Sequence, residues 1–239
     1  KELKIIGDFC NKYDVVAIED LAYFAMDFRT DMSKPGVPPY QPTVAKYTNN
    51  YILTISSSKA FSYAGQRVGM MIISDELYNR NYPELKKYYA KDLFGYSMVF
   101  GSIYTLSAGI THSSQYALAA IFKAANDGKL NFVEEVKEYG EKAHIMKKIF
   151  TDNGFKIVYD KDEDEPIADG FYFTFSYPGY SGEELLNKLL YYGVSAISLA
   201  ITGSERLEGI RACVSLVKRD QFKDLEFRLK RFNEDHQKI

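Results

Sequence analysis

A lysine, three serines and an arginine lie close enough in the sequence to bind a phosphorylated aldehyde. Serines occupy positions 56–58, Lys59 follows them directly, and Arg67 comes eight residues later between two glycines. A lysine amine forms a Schiff base with an aldehyde when its surroundings favour the neutral amine. Hydroxyls and a guanidinium bind a phosphate from several sides, and glycine lets the backbone approach it. The pattern therefore predicts an anchored, phosphorylated cofactor, although such a run taken alone is more often a solvated turn.

Apolar runs are predicted to form the strands that position these groups. Residues 15–18 precede Glu19 and Asp20, residues 51–55 lead into the serines, and residues 68–73 form a third run. Continuous apolar runs of this length are typical of strands that are covered on both faces of a sheet. Open α/β sheets bind ligands at the carboxyl ends of their strands, where we expect these polar residues. An aspartate at a strand end is, taken alone, more often a turn or helix-cap residue.

The segment around the lysine resembles the lysine motif of class I/II aminotransferases of fold type I. That motif has a serine three residues before the lysine, a small residue one before it, and then Gly-x-Arg-x-Gly, as in this chain. The resemblance implies that Lys59 holds pyridoxal 5′-phosphate as a Schiff base and that Ser56, Ser58 and Arg67 bind its phosphate. Ser57 stands where the commonest form of the motif has an apolar residue.

Two further segments resemble the same family. The sequence Asp20-Leu21-Ala22-Tyr23 is similar to the family's Asp-x-Ala-Tyr segment, which implies that Asp20 faces the pyridine nitrogen of the cofactor and Tyr23 its phenolic oxygen. A carboxylate at that nitrogen keeps it protonated and makes the ring an electron sink. Residues 209–215 resemble the family's late strand with an arginine, so Arg211 would bind the substrate α-carboxylate. An arginine in a strand is otherwise more often an outward, solvated residue.

The resemblance also implies the architecture, an α/β fold of two parts. Residues 1–129 would be the carboxy-terminal part of a large cofactor-binding domain with a mixed, mostly parallel sheet. Residues 130–239 would hold a connecting helix over 131–153 and a small α+β domain. In that domain the patterns predict strands near 155–159, 170–175, 194–199 and 209–216, and helices near 182–191 and 219–236.

Three local patterns add expectations for the first part. Residues 1–13 are predicted to form a helix whose apolar face holds Leu3, Ile5, Ile6 and Phe9. Four prolines and a glycine within residues 30–43 predict an irregular loop. Residues 117–122 are apolar all round and are predicted to lie in a buried helix.

Composition excludes several other classes of function. The 239 residues carry a net charge of −2, which gives no field for holding nucleic acid. The cysteines, Cys10 and Cys213, and the three histidines have no metal-ligand spacing, and we expect reduced thiols and no metal. No apolar run approaches the roughly 20 residues of a membrane helix, and we expect a cytoplasmic protein.

The function implied by the resemblance is transamination between an amino acid and a 2-oxo acid, by a homodimer. Alternatives on the same fold are a lyase, a decarboxylase or an acyl-transferring synthase that also uses pyridoxal phosphate. An alternative of another class is a scaffold module without catalysis. Because the family's segments before the aspartate strand are missing, we expect a fragment of a longer enzyme that is inactive alone.

Overall fold

The computed structural model describes residues 1–32, 34–168 and 170–237. These residues form two compact units, one of residues 1–25 with 32–134 and one of residues 26–31 with 135–239. Among the described residues, no helix is long and apolar enough to cross a membrane. Within these described ranges, no group of three or more histidine, cysteine or acidic side chains is placed so that it could hold a metal ion.

A three-stranded sheet of order β1-β2-β3 organises the first unit. Its strands are β1 (Ala17–Leu21), β2 (Tyr51–Ser56) and β3 (Gly69–Ile73). β1 is parallel to β2, and β3 is antiparallel to β2, so the sheet is mixed as predicted. The first predicted strand was placed too early, since pairing with β2 begins at Ala17 and includes Glu19 and Asp20.

The first helix forms as predicted, and most of its apolar face is exposed. α1 (Glu2–Tyr13) buries Gly7 and Cys10, while Ile5 is 61% exposed and Phe9 54% exposed. A Cβ at position 7 would lie 2.5 Å from the Cβ of Tyr47, so the bare glycine lets the helix approach that residue. The apolar stripe of α1 therefore remains at the surface of the unit.

The rest of the first unit is mainly helical. It contains α2 (Asp75–Tyr78), α3 (Phe94–Tyr96), a π-helical stretch (Ser97–Tyr104), α4 (Thr105–Ser107) and α5 (His112–Asn126). The predicted burial of residues 117–122 was only partly right, because Leu118 is buried whereas Ala119 and Ala120 are exposed. α5 thus presents one face to the unit. The described residues of the predicted loop 30–43 form no helix or strand.

The second unit is a four-stranded antiparallel sheet packed against helices. Its strands, in the order β4-β7-β9-β8, are β4 (Lys156–Ile157), β7 (Tyr172–Ser176), β9 (Ile210–Cys213) and β8 (Ile197–Ser198). All are shorter than predicted, and a hairpin of β5 (Lys161–Asp162) and β6 (Glu165–Pro166) was not predicted. The helices α6 (Phe132–Asp152), α7 (Gly182–Tyr191) and α8 (Phe222–His236) confirm the predicted ones.

Alternation along β7 separates the core of the second unit from the other face of its sheet. Phe173 and Phe175 are buried among side chains of the helices, including Phe150, Leu185 and Phe232. The residues that alternate with them, Tyr172, Thr174 and Ser176, are half-buried on the opposite face. Polar and aromatic side chains of β7 therefore lie on the face of the sheet opposite this core.

Candidate active site

The carboxyl ends of the parallel strands β1 and β2 bring Asp20 beside the serine run. Asp20 is the last residue but one of β1 and pairs with Thr54, two residues before Ser56. Its side chain is exposed, and its Oδ1 accepts a hydrogen bond from the Ala22 backbone N–H at 3.0 Å. The neighbouring Glu19 points to the opposite face, where its Oε2 accepts from the Val44 N–H at 2.9 Å. Of the two carboxylates, Asp20 is the one open to a ligand.

Lys59 lies in the tight turn that follows β2. Its side chain is half-buried, and its Nζ lies 5.8 Å from the centroid of the Tyr23 ring. The turn is held by the Ser62 N–H, which donates to the Lys59 carbonyl, and by the Tyr63 N–H, which donates to the Ser57 carbonyl. The structure therefore brings the predicted lysine and tyrosine together, although the proline-rich loop and β2 separate them in the sequence.

The three serines divide into two roles. Ser57 is fully buried, and its hydroxyl donates to the Val68 carbonyl in a short hydrogen bond. Ser56 and Ser58 are half-buried, and the Oγ of Ser56 accepts from the Ser58 backbone N–H at 3.1 Å. Ser57 thus ties β2 to the start of β3, and the other two hydroxyls lie at the rim.

Arg67 has a backbone conformation that residues other than glycine rarely adopt. Its φ of 52° and ψ of 45° are left-handed, which costs roughly 1–2 kcal/mol for a residue other than glycine. The residue ends a 3₁₀ turn (Ala64–Gln66), and its Nη1 donates to the Ala64 carbonyl at 2.8 Å. The side chain is exposed, which leaves other guanidinium N–H groups to meet a ligand. Two residues later, Gly69 pairs with Ser56 across the sheet.

Arg211 belongs to the second unit, on the face of its sheet opposite the buried phenylalanines of β7. It pairs with Thr174 of β7 and Ile197 of β8, and its Cζ lies 4.2 Å from the centroid of the Tyr172 ring. Among the described residues, its Nε is buried without a hydrogen-bond partner. Arg211 was predicted as a site residue, whereas Tyr172 was not among the predicted site residues.

The residues at the rim of the first unit fit pyridoxal phosphate chemically. An amine is present for the aldehyde, two hydroxyls and a guanidinium for the phosphate, and a carboxylate for the ring nitrogen. They come from the ends of two parallel strands and one adjoining turn, which is where an open α/β sheet binds its ligand. This set is a candidate cofactor site.

Solved structures with the same fold include aminotransferases. The aromatic aminotransferase of Pyrococcus horikoshii matches 100% of this chain and 56% of its own length at 18% identity and a TM-score of 0.69. The α-aminoadipate aminotransferase of Thermus thermophilus, solved with N-(5′-phosphopyridoxyl)-L-leucine, matches 98% of this chain and 54% of its own at 18% identity and a TM-score of 0.65. This chain thus spans about half the length of these structures.

The sequence itself identifies the family. The family described as aminotransferase class I and II matches residues 1–225. The chain therefore belongs to the class I and II aminotransferases, a family that depends on pyridoxal phosphate. Comparison with curated proteins finds no match.

Proposed function

We propose that the protein containing this chain is a transaminase that moves an amino group between an amino acid and a 2-oxo acid, with pyridoxal 5′-phosphate bound at Lys59. The observation that carries the proposal is the half-buried Lys59, whose Nζ lies 5.8 Å from the Tyr23 ring centroid at the rim that also holds Asp20. Membership of the aminotransferase family supports the reaction class.

Each residue of the rim then has a chemical task. Ser56, Ser58 and Arg67 bind the phosphate, which fixes the group in the turn after β2. The Asp20 carboxylate keeps a proton on the ring nitrogen, and the Tyr23 hydroxyl donates to the phenolic oxygen. When bound, the cofactor supplies a ring that withdraws electrons from the substrate α-carbon. The free Lys59 amine would accept the proton from that carbon at its Nζ and hold it as the ammonium for return to the product.

Arg211 favours transamination over decarboxylation on the same fold. A guanidinium that binds the α-carboxylate in a bidentate pair holds this group in place, whereas a decarboxylase must expel it. In the proposal, residues 1–129 are part of the large domain and residues 130–239 the connecting helix and small domain. The proposal also includes a homodimer, which the family resemblance implies. It further includes a cytoplasmic location, which rests on the composition.

Replacing Lys59 with alanine tests the proposal. In the complete protein, Lys59→Ala should abolish the visible absorption of bound cofactor and transamination together, because the amine that forms the Schiff base is removed. Borohydride reduction followed by peptide mapping should place the cofactor on Lys59 of the wild type. The matched control is Lys46→Ala, an exposed lysine of the same unit. If Lys59→Ala still yields borohydride-trapped cofactor, the assignment is wrong.

The reaction class needs a separate measurement. With an amino acid and 2-oxoglutarate, the wild type should yield a new 2-oxo acid and glutamate without release of carbon dioxide. Carbon dioxide as the main product would indicate a decarboxylase instead. An eliminated side chain as the main product would indicate a lyase. We expect the chain of 239 residues alone to show little turnover, and full activity of that chain at its intact mass would contradict this.

A further inference from the structure

We propose that Tyr172 is a positioning residue for substrate binding, and that its ring holds the Arg211 guanidinium ready for a carboxylate. The inference rests on the proposed function of Arg211 as the residue that binds the α-carboxylate. It adds a second residue, on a different strand, that sets the affinity of this carboxylate site.

Strand register places the two side chains on the same face. In the antiparallel pair of β7 and β9, Tyr172 lies opposite Cys213 and Thr174 lies opposite Arg211. Tyr172 and Arg211 are therefore diagonal neighbours, a separation that long and aromatic side chains span. The distance of 4.2 Å from the Arg211 Cζ to the ring centroid is well within the roughly 6 Å limit of cation–π attraction.

The charge of Arg211 is balanced differently from that of five other arginines in the described part of the chain. Arg211 has no carboxylate partner among the described residues, and its buried Nε makes no hydrogen bond there. A neutral ring can orient a guanidinium without occupying its N–H groups. The charge thus stays available for a ligand, which would bind at the terminal nitrogens because Nε is shielded. The arginines that do pair with a carboxylate include Arg29, Arg80, Arg206, Arg219 and Arg231.

The side chain of Tyr172 also makes apolar contacts. It packs against a small apolar cluster of Met26, Val136 and Phe171. A packed side chain of this kind loses little conformational entropy when a ligand binds, which favours a preformed site.

The test separates electrostatics from packing by changing only the ring's quadrupole. In the complete protein with its cofactor, position 172 is changed to phenylalanine and to pentafluorophenylalanine, which is similar in size but has an inverted ring quadrupole. Tyr172→Phe should keep the KM for the amino acid within about twofold, since most of the cation–π attraction is retained. The pentafluoro ring should raise that KM by about tenfold at a kcat that is little changed.

The matched control is pentafluorophenylalanine at Phe173, the next residue of β7, whose ring faces the core. That substitution should leave KM unchanged. A second readout is the mobility of the Arg211 Nε–Hε bond by nitrogen-15 relaxation in the cofactor-free protein, which should rise with the pentafluoro ring at position 172. If KM or this mobility is the same for the phenylalanine and pentafluoro variants, the proposal is overturned.

Failure of the proposed function gives a different result. Arg211→Lys should raise KM more than any substitution of Tyr172, because the bidentate contact is lost. An unchanged KM in Arg211→Lys would refute the carboxylate role of Arg211 itself. A raised KM in Arg211→Lys with no response to the ring's quadrupole would refute the role of Tyr172 alone.

Discussion

At the scale of single residues, the serine run shows that neighbours in one motif carry different tasks. Ser57 departs from the commonest form of the family's motif, and the structure gives the reason. Its hydroxyl is buried and donates to the carbonyl of Val68, the residue after Arg67. This bond helps to hold the turn in which Arg67 keeps its left-handed backbone. A polar residue at position 57 therefore stabilises the turn, whereas Ser56 and Ser58 are placed to meet the phosphate.

Exchanging Ser57 and Ser58 for alanine should separate these tasks. Ser57→Ala leaves the buried Val68 carbonyl without its donor and should lower the free energy of unfolding by about 1–2 kcal/mol. Ser58→Ala, at a half-buried position, should change stability by less than about 0.5 kcal/mol but weaken pyridoxal phosphate binding by roughly tenfold. Urea unfolding of the cofactor-free protein and absorbance titration with the cofactor measure the two effects. The same loss of stability in both variants would contradict this division.

At the scale of elements, sequence patterns predicted helices and central strands well. β2 and the helices α6, α7 and α8 lie within a few residues of their predicted positions, because long periodic segments and glycine stops define them locally. The burial of Gly7 in α1 was not predicted, and Ala119 and Ala120 are exposed although their burial was predicted. Periodicity finds an apolar face but does not show whether anything covers it. Gly7, through which α1 approaches Tyr47, has no side chain that could contribute to a periodic pattern.

One part of the candidate site was predictable from local spacing alone. The residues from Ser56 to Arg67 lie in one connection between β2 and β3, so their spacing in sequence nearly determines their spacing in space. Tyr172 could not be found in this way, because its proximity to Arg211 depends on the register between β7 and β9. Register is set by turns and by burial on the opposite face, and a single strand does not contain it.

The ion pair of Asp27 and Arg29 holds residues 26–31 in place and makes the stability of the protein depend on pH. Arg29 donates from its Nε and Nη2 to the Asp27 carboxylate at 2.9 and 2.6 Å, and from its Nη1 to the Pro166 carbonyl at 3.0 Å. These bonds connect residues 26–31 to the β5–β6 hairpin. The hydrogen bonds from Arg29 lower the pKa of Asp27 below its ordinary value. The folded protein therefore favours the ionised carboxylate.

Stability from this ion pair should be lost in acid. Because the pKa of Asp27 is lowered on folding, its contribution is complete above the unfolded value of about 3.9 and disappears as pH falls through the folded pKa. Asp27→Asn should cost about 1 kcal/mol near neutral pH, and the cost should shrink as the pH approaches about 3. Chemical unfolding of both proteins across this range measures the difference. The control Asp152→Asn removes an exposed helix pair with Lys148 and should cost less than about 0.5 kcal/mol. A cost for Asp27→Asn that is constant with pH would disprove the linkage.

At the scale of the whole molecule, the first unit carries an apolar surface that its own residues do not cover. Ile5, Ile6, Phe9 and Tyr13 lie exposed along α1, and Ile18 of β1 is 71% exposed. A cluster of exposed apolar side chains marks a surface that is normally covered by other protein. The solved structures that match this fold are nearly twice as long as the chain. We infer that this surface, together with the open edge of β1, makes the chain of 239 residues associate when it is alone.

Charged residues on α1 should suppress this association. Replacing Ile5 and Phe9 together with lysine should raise the monomer fraction of the 239-residue chain at micromolar concentration, as measured by size-exclusion chromatography with light scattering. Exposed substitutions usually change stability little, so the far-ultraviolet circular dichroism should stay the same. The matched control replaces Leu190 and Tyr191 of the second unit with lysine, at positions that are 52% and 89% exposed. Because that pair lies outside the cluster on α1 and β1, the control should associate like the wild type. Equal suppression by both double variants would mean that general surface charge, rather than this apolar face, governs the assembly of the chain.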